Sequence, residues 1–267
     1  MSKALSAQQI ERYQQEGCLF PVAVLSAGEV AYFRSCLETL ELRLGGRLKR
    51  MDHSHLFFPW AYELATHPRV VDAVEDLLGP DLFIHSTRVF SKPPRDPSYV
   101  SWHQDGTYSA LNSKPAPSIW IALTASTPEN GCVRVIPGSH LSAKLPHRET
   151  YAPDNLLNHG EEVQAEVDES QAIDMALGPG EMSIHHVNLI HGSNPNRSDG
   201  PRIGFAISFI TPAVGQSYLP VLHVRGQRDG AHAFEIVEPP SLDLDAALTA
   251  HAEFLCRTGQ PPTRLSR

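Results

Sequence analysis

The sequence predicts a mostly β fold, a sandwich or barrel, with helices before and after it. Three observations support this class. Helix-capping patterns and an apolar period close to 3.6 residues occur toward both ends of the chain. Between about residues 81 and 212, short apolar or alternating runs follow one another, separated by Pro, Gly, Asn and Ser. These runs do not alternate with helical segments, as the strands of a parallel sheet would.

The first third of the chain predicts three helices. Ser6 and Ser26 each begin a capping box, in which a Ser and the Gln or Glu three residues later cover backbone amides of the first turn. A third helix begins at Pro68, whose missing N–H is harmless in a first turn. We expect this helical support, about residues 6–79, to pack on the outside of the strand-rich core.

Six runs predict strands, and residues 241–258 predict a further helix. The predicted strands are 82–90, 118–123, 133–136, 172–177, 181–187 and 202–210. The long connections 107–117 and 145–167 are interpreted as lids or binding loops. We therefore expect one domain over residues 1–267: the helical support, a core of about 81–212, and a C-terminal helical extension.

Composition and charge exclude several functions. The 267 residues carry 22 Lys and Arg against 30 Asp and Glu, a formal net charge of −8, which argues against a nucleic acid or an anionic membrane as partner. No run of 18 apolar residues and no signal-peptide pattern is present, and the four cysteines form no CxxC pair. We expect a cytoplasmic protein that binds a small molecule; its oligomeric state stays open.

Candidate metal ligands occur first in the tetrapeptide from Trp102 to Asp105. His103 and Asp105 are two residues apart at the end of a β-like run. Side chains at i and i+2 leave the same face of a strand, about 6.5–7 Å apart at the backbone. An imidazole and a carboxylate can then converge on one ion, although this short pattern is weak evidence alone.

A second segment strengthens the metal hypothesis. His191 supplies a distant imidazole, and Arg202 follows it by eleven residues. Two His and one carboxylate are typical of non-haem Fe(II) oxygenases, which keep three coordination positions open. The planar guanidinium of Arg202 suits a carboxylate. His185 has the same strand parity as His191 and is the alternative ligand, but the Gly-Ser after His191 and the spacing to Arg202 favour His191.

Several short motifs of the chain resemble those of a known family. The sequences WHQDGTY at 102–108, NGC at 130–132, PGSH at 137–140, GEM at 180–182 and HGS at 191–193, followed by Arg202, resemble the phytanoyl-CoA dioxygenase family. The resemblance implies a double-stranded β-helix, a cupin-like jelly roll. It also implies Fe(II), 2-oxoglutarate as co-substrate and O2.

The resemblance also implies roles for individual residues. The implied iron ligands are His103, Asp105 and His191. The residues implied at or near 2-oxoglutarate are Arg202, Ser193, Gln104 and Trp120. Relatives add a lysine contact to 2-oxoglutarate; Lys49 is a candidate for it, and Lys92 is interpreted as a strand-end residue.

The expected reaction is hydroxylation of a small organic molecule with release of succinate and CO2. Related halogenases have Ala or Gly at the position of Asp105, so a carboxylate there favours hydroxylation. The substrate types to consider are an amino acid, a phosphonate, an acyl compound or a natural product. Candidate substrate contacts are Arg88, Arg134, Tyr108 and Phe57.

Two alternatives remain at this stage. A cupin-like non-redox metalloenzyme, an isomerase or lyase using Zn(II) or Mn(II), would use the same ligands but would leave Arg202 unexplained. A non-catalytic small-molecule-binding jelly roll would be expected to lack one ligand.

Overall fold

The computed structural model describes residues 4–107, 116–215, 217, 219–228 and 234–266. Within them, five helices are formed: α1 Ala7–Glu16, α2 Ala27–Leu44, α3 Pro59–Ala65, α4 Pro68–Leu78 and α5 Leu244–Thr258. The first eight strands are β1 Cys18–Ala23, β2 Leu48–Asp52, β3 Leu82–Lys92, β4 Val100–His103, β5 Pro117–Ala122, β6 Val133–Val135, β7 His147–Glu149 and β8 Glu161–Val163. They are followed by β9 Ile173–Met175, β10 Glu181–His186, β11 His191–Ser193, β12 Arg202–Ile210, β13 Val221–Arg225, β14 Ile236–Val237 and β15 Arg264–Leu265.

The helix starts follow the predicted chemistry. Ser6 and Ser26 both form complete capping boxes, in which the Ser side chain accepts from the third helical N–H and that residue's side chain accepts from the Ser N–H. α4 begins at Pro68, as predicted. None of the described helices is long and apolar enough to cross a membrane.

The larger of the two main sheets has nine strands. Its strands lie in the order β1-β10-β5-β12-β3-β13-β14, while β2 pairs with β3 and β15 pairs with β2. β1 and β2 come from the segment 6–79, for which the sequence predicted helices but no strand. β2 reads LKRMD, which shows no apolar alternation, so this strand is recognised only by its pairing with β3.

The smaller sheet has the order β4-β11-β6-β9. Trp120 of β5 packs with Val133 and Val135 of β6 and Met175 of β9, so apolar residues of both sheets form one cluster between them. The two sheets together form a jelly roll. The segment 145–167, expected to be a connection only, contains the β7–β8 hairpin.

The two faces of the larger sheet have different neighbours. The outer face packs against the helices through apolar residues, among them Val89, Ile119, Ile121, Phe205 and Ile207. The inner face carries polar residues in register. Ser208 of β12 lies opposite both Ser86 and Ser118, and Arg202 lies opposite Lys92. This inner face supplies one wall of the candidate site.

Candidate active site

The three expected iron ligands lie together. His103 ends β4 and His191 begins β11, and the antiparallel pairing places these two residues directly opposite each other. Asp105 opens the 3-10 turn Asp105–Thr107 that follows β4. Its Oδ1 lies 3.3 Å from His103 Nε2 and 3.8 Å from His191 Nε2. One donor atom from each residue lies within 4.8 Å of the other two, a spacing that one metal ion can bridge.

Backbone carbonyl groups orient both imidazoles. His103 Nδ1 lies 2.9 Å from the Ser101 carbonyl oxygen, and His191 Nδ1 lies 2.9 Å from that of Leu189. Because a carbonyl only accepts, each Nδ1 carries the proton and each Nε2 keeps its lone pair for a metal. The donor set is therefore two neutral nitrogens and one carboxylate oxygen, which fits Fe(II).

Asp105 is held as a carboxylate with one oxygen toward the imidazoles. Ser118 Oγ donates to its Oδ2 at 2.6 Å, which leaves Oδ1 facing the imidazoles. Burial alone would raise the pKa of Asp105, but the adjacent His191 and His103 keep that pKa well below its usual value. Burial also lowers the pKa of His191 far below its usual value. Both groups are therefore deprotonated at neutral pH, as metal binding requires.

A third imidazole lies beside this cluster. His185 of β10 has its ring centroid 4.4 Å from that of His191, and its Nε2 is 3.6 Å from Asp105 Oδ2. Among the described residues, neither nitrogen of the buried His185 ring has a hydrogen-bond partner. His185 was the alternative ligand suggested by the sequence. In the structure it lies beside the group formed by His103, Asp105 and His191 and is not part of that group.

Two buried cations lie at the far end of the same inner face. Arg202 donates through Nε and Nη2 to the Gly131 carbonyl oxygen, at 3.1 and 2.7 Å. Lys92 Nζ donates to Ser193 Oγ at 2.7 Å and to the Asn194 carbonyl oxygen. Ser193 Oγ also lies 3.4 Å from Arg202 Nη2. Within the described part of the chain, no carboxylate forms an ion pair with either cation.

The charge of Arg202 favours a bound anion, whereas the lowered pKa of Lys92 favours its neutral amine until an anion binds. Burial lowers the pKa of Arg202 to about 10, so the guanidinium stays charged at neutral pH. Burial, with the nearby Arg202 charge, lowers the pKa of Lys92 well below its usual value. Uncompensated buried charge is unfavourable unless a ligand supplies the counter-charge. An anionic ligand would relieve this cost, and a carboxylate matches the planar guanidinium.

Sequence interpretation missed this role for Lys92. The residue had been interpreted only as a strand end, and Lys49 was the alternative. Lys49 instead pairs with Asp96 at 2.6 Å, away from Arg202. Lys92 faces Arg202 because these two residues are register partners in β3 and β12, and register between strands so distant in sequence is not readable from either strand alone.

Trp120 and Gly204 shape the same end of the site. The Arg202 guanidinium carbon lies 5.0 Å from the Trp120 ring centroid. A Cβ at position 204 would lie 1.8 Å from Trp120 Cζ2, far inside any real contact distance. Any side chain larger than that of glycine is therefore excluded at position 204, because the Trp120 indole lies across the strand there.

Gln104 and Arg134 lie away from the pocket that the sequence assigned to them. The buried Gln104 amide donates to the Asn188 carbonyl oxygen at 2.7 Å and accepts from the Leu145 N–H at 2.9 Å, so it joins two loops. Arg134 pairs with Glu169 at 2.7 Å and lines neither cavity described below.

The two remaining expected substrate contacts are Phe57 and Tyr108. Phe57 packs against His251 and Phe254 of α5, in the helical layer outside the sheet. Tyr108 lies outside the described residues. Of the three expected substrate contacts that the structure describes, Arg88 lies in both pockets with His103 and Asp105.

A cavity of about 400 Å³ opens next to the metal ligands, with His103 and Asp105 in its wall. The other polar side chains in its wall include Arg50, His53, His85, Ser86, Arg88 and Ser208. The sequence gave no local signal for Arg50, His53 or His85 as site residues. A narrower adjoining pocket contains the three expected ligands with Ser193, Trp120 and Arg202.

A jelly roll in which one pocket contains two histidines, one carboxylate and a buried arginine defines a class: the Fe(II)/2-oxoglutarate-dependent oxygenases. Comparison with known proteins gives the family. Residues 13–204 match the phytanoyl-CoA dioxygenase (PhyH) family, and the chain belongs to this family.

Individual relatives agree with this assignment. A probable alpha-ketoglutarate-dependent hypophosphite dioxygenase of Stutzerimonas stutzeri is 29% identical over 175 residues, 63% of this chain and 60% of the relative. A probable phytanoyl-CoA dioxygenase of Caenorhabditis elegans is 31% identical over 191 residues, 67% of this chain and 59% of the relative. The matches therefore span about 60% of the length of these two relatives. The match to the solved structure of the non-heme monooxygenase ThoJ has 34% sequence identity and a TM-score of 0.79. It covers 94% of this chain and 96% of the ThoJ chain.

Proposed function

We propose that this protein is an Fe(II)/2-oxoglutarate-dependent dioxygenase that hydroxylates a small organic molecule and releases succinate and CO2. One observation carries the proposal. The narrow pocket that contains His103, Asp105 and His191 also contains Arg202, a buried cation with no carboxylate partner among the described residues. A metal site and an anion site in one pocket match a co-substrate that is both a metal chelator and a carboxylate.

Each of these residues has a defined task in the proposed reaction. The Nε2 atoms of His103 and His191 and Oδ1 of Asp105 would hold the iron, which supplies O2 activation and C–H oxidation when bound. Ser118 keeps Asp105 Oδ2 occupied, so that one oxygen is presented to the metal. The backbone carbonyls at Nδ1 fix both imidazole tautomers.

The co-substrate would be oriented by its far carboxylate. Arg202 offers a planar guanidinium, with Ser193 Oγ and Lys92 Nζ beside it. One carboxylate ligand reduces the charge of Fe(II) from +2 to about +1, so the dianionic 2-oxoglutarate still meets positive charge at both of its ends. Trp120 covers the guanidinium on one side and limits the access of water.

The proposal also includes the domain organisation, the partners and the cellular location of the protein. We propose one catalytic domain, which the packing of helices α2 to α4 on the outer face of the larger sheet supports. A small-molecule substrate with no nucleic-acid partner is consistent with the net charge of −8. Four free cysteines support a cytoplasmic location.

Anaerobic titration of the protein with Fe(II) and 2-oxoglutarate tests the chelation. We expect a weak visible metal-to-ligand charge-transfer band in the wild type, its loss in Asp105→Ala, and its retention in Asp199→Ala, a control on an exposed surface carboxylate. Absence of the band in the wild type contradicts the proposal.

Aerobic turnover with a metabolite library tests the reaction. We expect succinate formation coupled to a product 16 mass units heavier than its substrate. A turnover that needs Zn(II) or Mn(II) and yields no succinate would instead support the non-redox isomerase or lyase.

A further inference from the structure

The wall of the cavity beside the proposed metal ligands contains two arginines, Arg50 and Arg88, which are distinct from Arg202 and Lys92. We propose that Arg88 binds the carboxylate or phosphonate group of the substrate, which makes the substrate a small organic anion. This inference rests on the proposed function and adds the chemical class of the molecule that is oxidised.

Arg88 lies in the wall shared by the two pockets beside the proposed iron ligands. It lines both the cavity of about 400 Å³ and the narrower pocket, and His103 and Asp105 are likewise shared by the two. On β12 its register partner is Ala206, whose small side chain leaves the guanidinium room above the sheet. A group bound by Arg88 would thus lie next to the iron ligands.

Arg88 is anchored on one side and available on the other. Its Nε lies 2.9 Å from Asp52 Oδ1, and Arg50 Nε lies 3.0 Å from Asp52 Oδ2, so one buried carboxylate serves two arginines. Arg50 also donates to the Leu156 carbonyl oxygen. Within the described ranges, the terminal nitrogens of Arg88 make no hydrogen bond, and 34% of its side chain is exposed. The contact of Arg88 Nε with Asp52 is an ion pair without a hydrogen bond, and the terminal nitrogens of the guanidinium remain open to a bidentate anion.

The other charged groups in the cavity wall are already engaged. Glu149 accepts hydrogen bonds from Tyr151 and His159. Glu161 accepts from the His159 N–H at 3.3 Å, and its charge acts on Arg50. These acidic groups leave the free edge of Arg88 without a partner among the residues that the structure describes.

Two imidazoles in the cavity wall, His53 and His85, are neutral. Burial lowers the pKa of His53 to about 3 and that of His85 to about 4, so neither carries charge at neutral pH. They can donate or accept hydrogen bonds to the rest of a substrate, whereas its anionic group would be held by Arg88.

Arg88 is separated from the co-substrate anchor. It shares its strand face with Lys92, four residues further along β3, which corresponds to about 13 Å along the strand. Lys92 faces Arg202 at that far end, whereas Arg88 faces the open cavity. Two cationic sites at this separation fit two anions, a co-substrate and a substrate.

A binding screen on the anaerobic Fe(II)–2-oxoglutarate enzyme tests the proposal. The probes are carboxylates and phosphonates of two to eight carbons, each compared with its neutral amide or alcohol counterpart. Binding is measured by calorimetry and by the change in the charge-transfer band. We expect anions to bind and their neutral counterparts to bind at least ~30-fold more weakly.

Variants then assign the effect to the side chain. Arg88→Gln is expected to weaken the best anion by roughly 10- to 100-fold, Arg88→Lys by less, and neither to change the 2-oxoglutarate Kd more than about threefold. Arg134→Gln is the matched control, because its arginine pairs with Glu169 outside both pockets, and it should bind the anion like the wild type.

The outcomes are distinct. The inference is overturned if no anion binds, if neutral counterparts bind equally well, or if Arg88→Gln mainly weakens 2-oxoglutarate. The separate carboxylate and phosphonate series identify which anion is preferred. Failure of the wild type to form the charge-transfer band would count against the proposed oxygenase instead, and titration of the same anions into the metal-free protein would still test Arg88.

Discussion

Gly204→Ala is the sharpest test of the arrangement around Arg202, because it changes no group proposed to touch iron or co-substrate. The added Cβ would lie 1.8 Å from Trp120 Cζ2 and 2.2 Å from Cε2. An ordinary carbon–carbon contact is about 3.5–4.0 Å, so the indole has to move by about 2 Å. The Arg202 guanidinium, 5.0 Å from the ring centroid, loses its packing partner.

This displacement has two measurable consequences. Overpacking of this kind costs about 1–3 kcal/mol, which lowers Tm by roughly 2–5 °C in a chain of this size. A displacement of about 1 Å or more in a positioning group can cost up to ~100-fold in function, so we expect 2-oxoglutarate to bind at least ~10-fold more weakly. The assays are calorimetric Tm and anaerobic titration of the charge-transfer band.

Gly28→Ala is the matched control. Gly28 lies in the first turn of α2, and a Cβ there would meet nothing closer than 4.0 Å. Alanine should raise stability by about 0.5 kcal/mol through its helix propensity and should leave 2-oxoglutarate binding unchanged. A Gly204→Ala protein with wild-type Tm and wild-type co-substrate affinity would show that the indole does not lie across this strand. Trp120→Leu, combined with Gly204→Ala, should recover part of the lost stability.

Three further predictions concern the hydrogen bond of Ser118, the contacts of Lys92 and the burial of two histidines. Ser118→Ala removes the donor to the proposed iron-binding carboxylate and should weaken Fe(II) binding by about 10- to 100-fold, measured by competition with a chelator; wild-type affinity would mean that this bond positions nothing. Lys92→Met should weaken 2-oxoglutarate by about 10- to 100-fold while Lys49→Met has no effect, and equal losses in both variants would remove Lys92 from the anion site. His53 and His85 are neutral in the folded state, with pKa values of about 3 and 4, but titrate near 6.5 when unfolded, so the unfolded chain binds more protons as the pH falls below 6.5. Each should then reduce stability by about 1.4 kcal/mol per pH unit, and urea unfolding that shows no loss between pH 6.5 and 5 would contradict their burial as neutral groups.

Local patterns in the chain were sufficient for many elements. The capping boxes at Ser6 and Ser26 and the start of α4 at Pro68 depend on residues within one turn of each other. β12 was predicted at its observed bounds because its apolar run is bounded by turn residues. β2 and β15 were not predicted, since a charged or two-residue strand is defined by its partner rather than by its own composition.

The sequence by itself determined the chemistry that this protein can assemble. The motif order around His103, Asp105, His191 and Arg202 indicates the family. The expectation that His103 and Asp105 share one strand face was wrong, because β4 ends at His103 and Asp105 lies in the 3-10 turn that follows. Short motifs and their order along the chain are visible in the sequence, so the candidate ligands and the family can be recognised without coordinates.

Only the tertiary structure decided which distant groups face each other. Arg202 opposite Lys92, and Asp52 beside Arg88, follow from the register of β12 and β2 on β3. A shift of one residue in either pairing would turn these side chains to the opposite face, and nothing within a single strand fixes that choice. Register is set by packing of the whole sheet between its helices and the smaller sheet, so the anion sites become visible only in the folded chain.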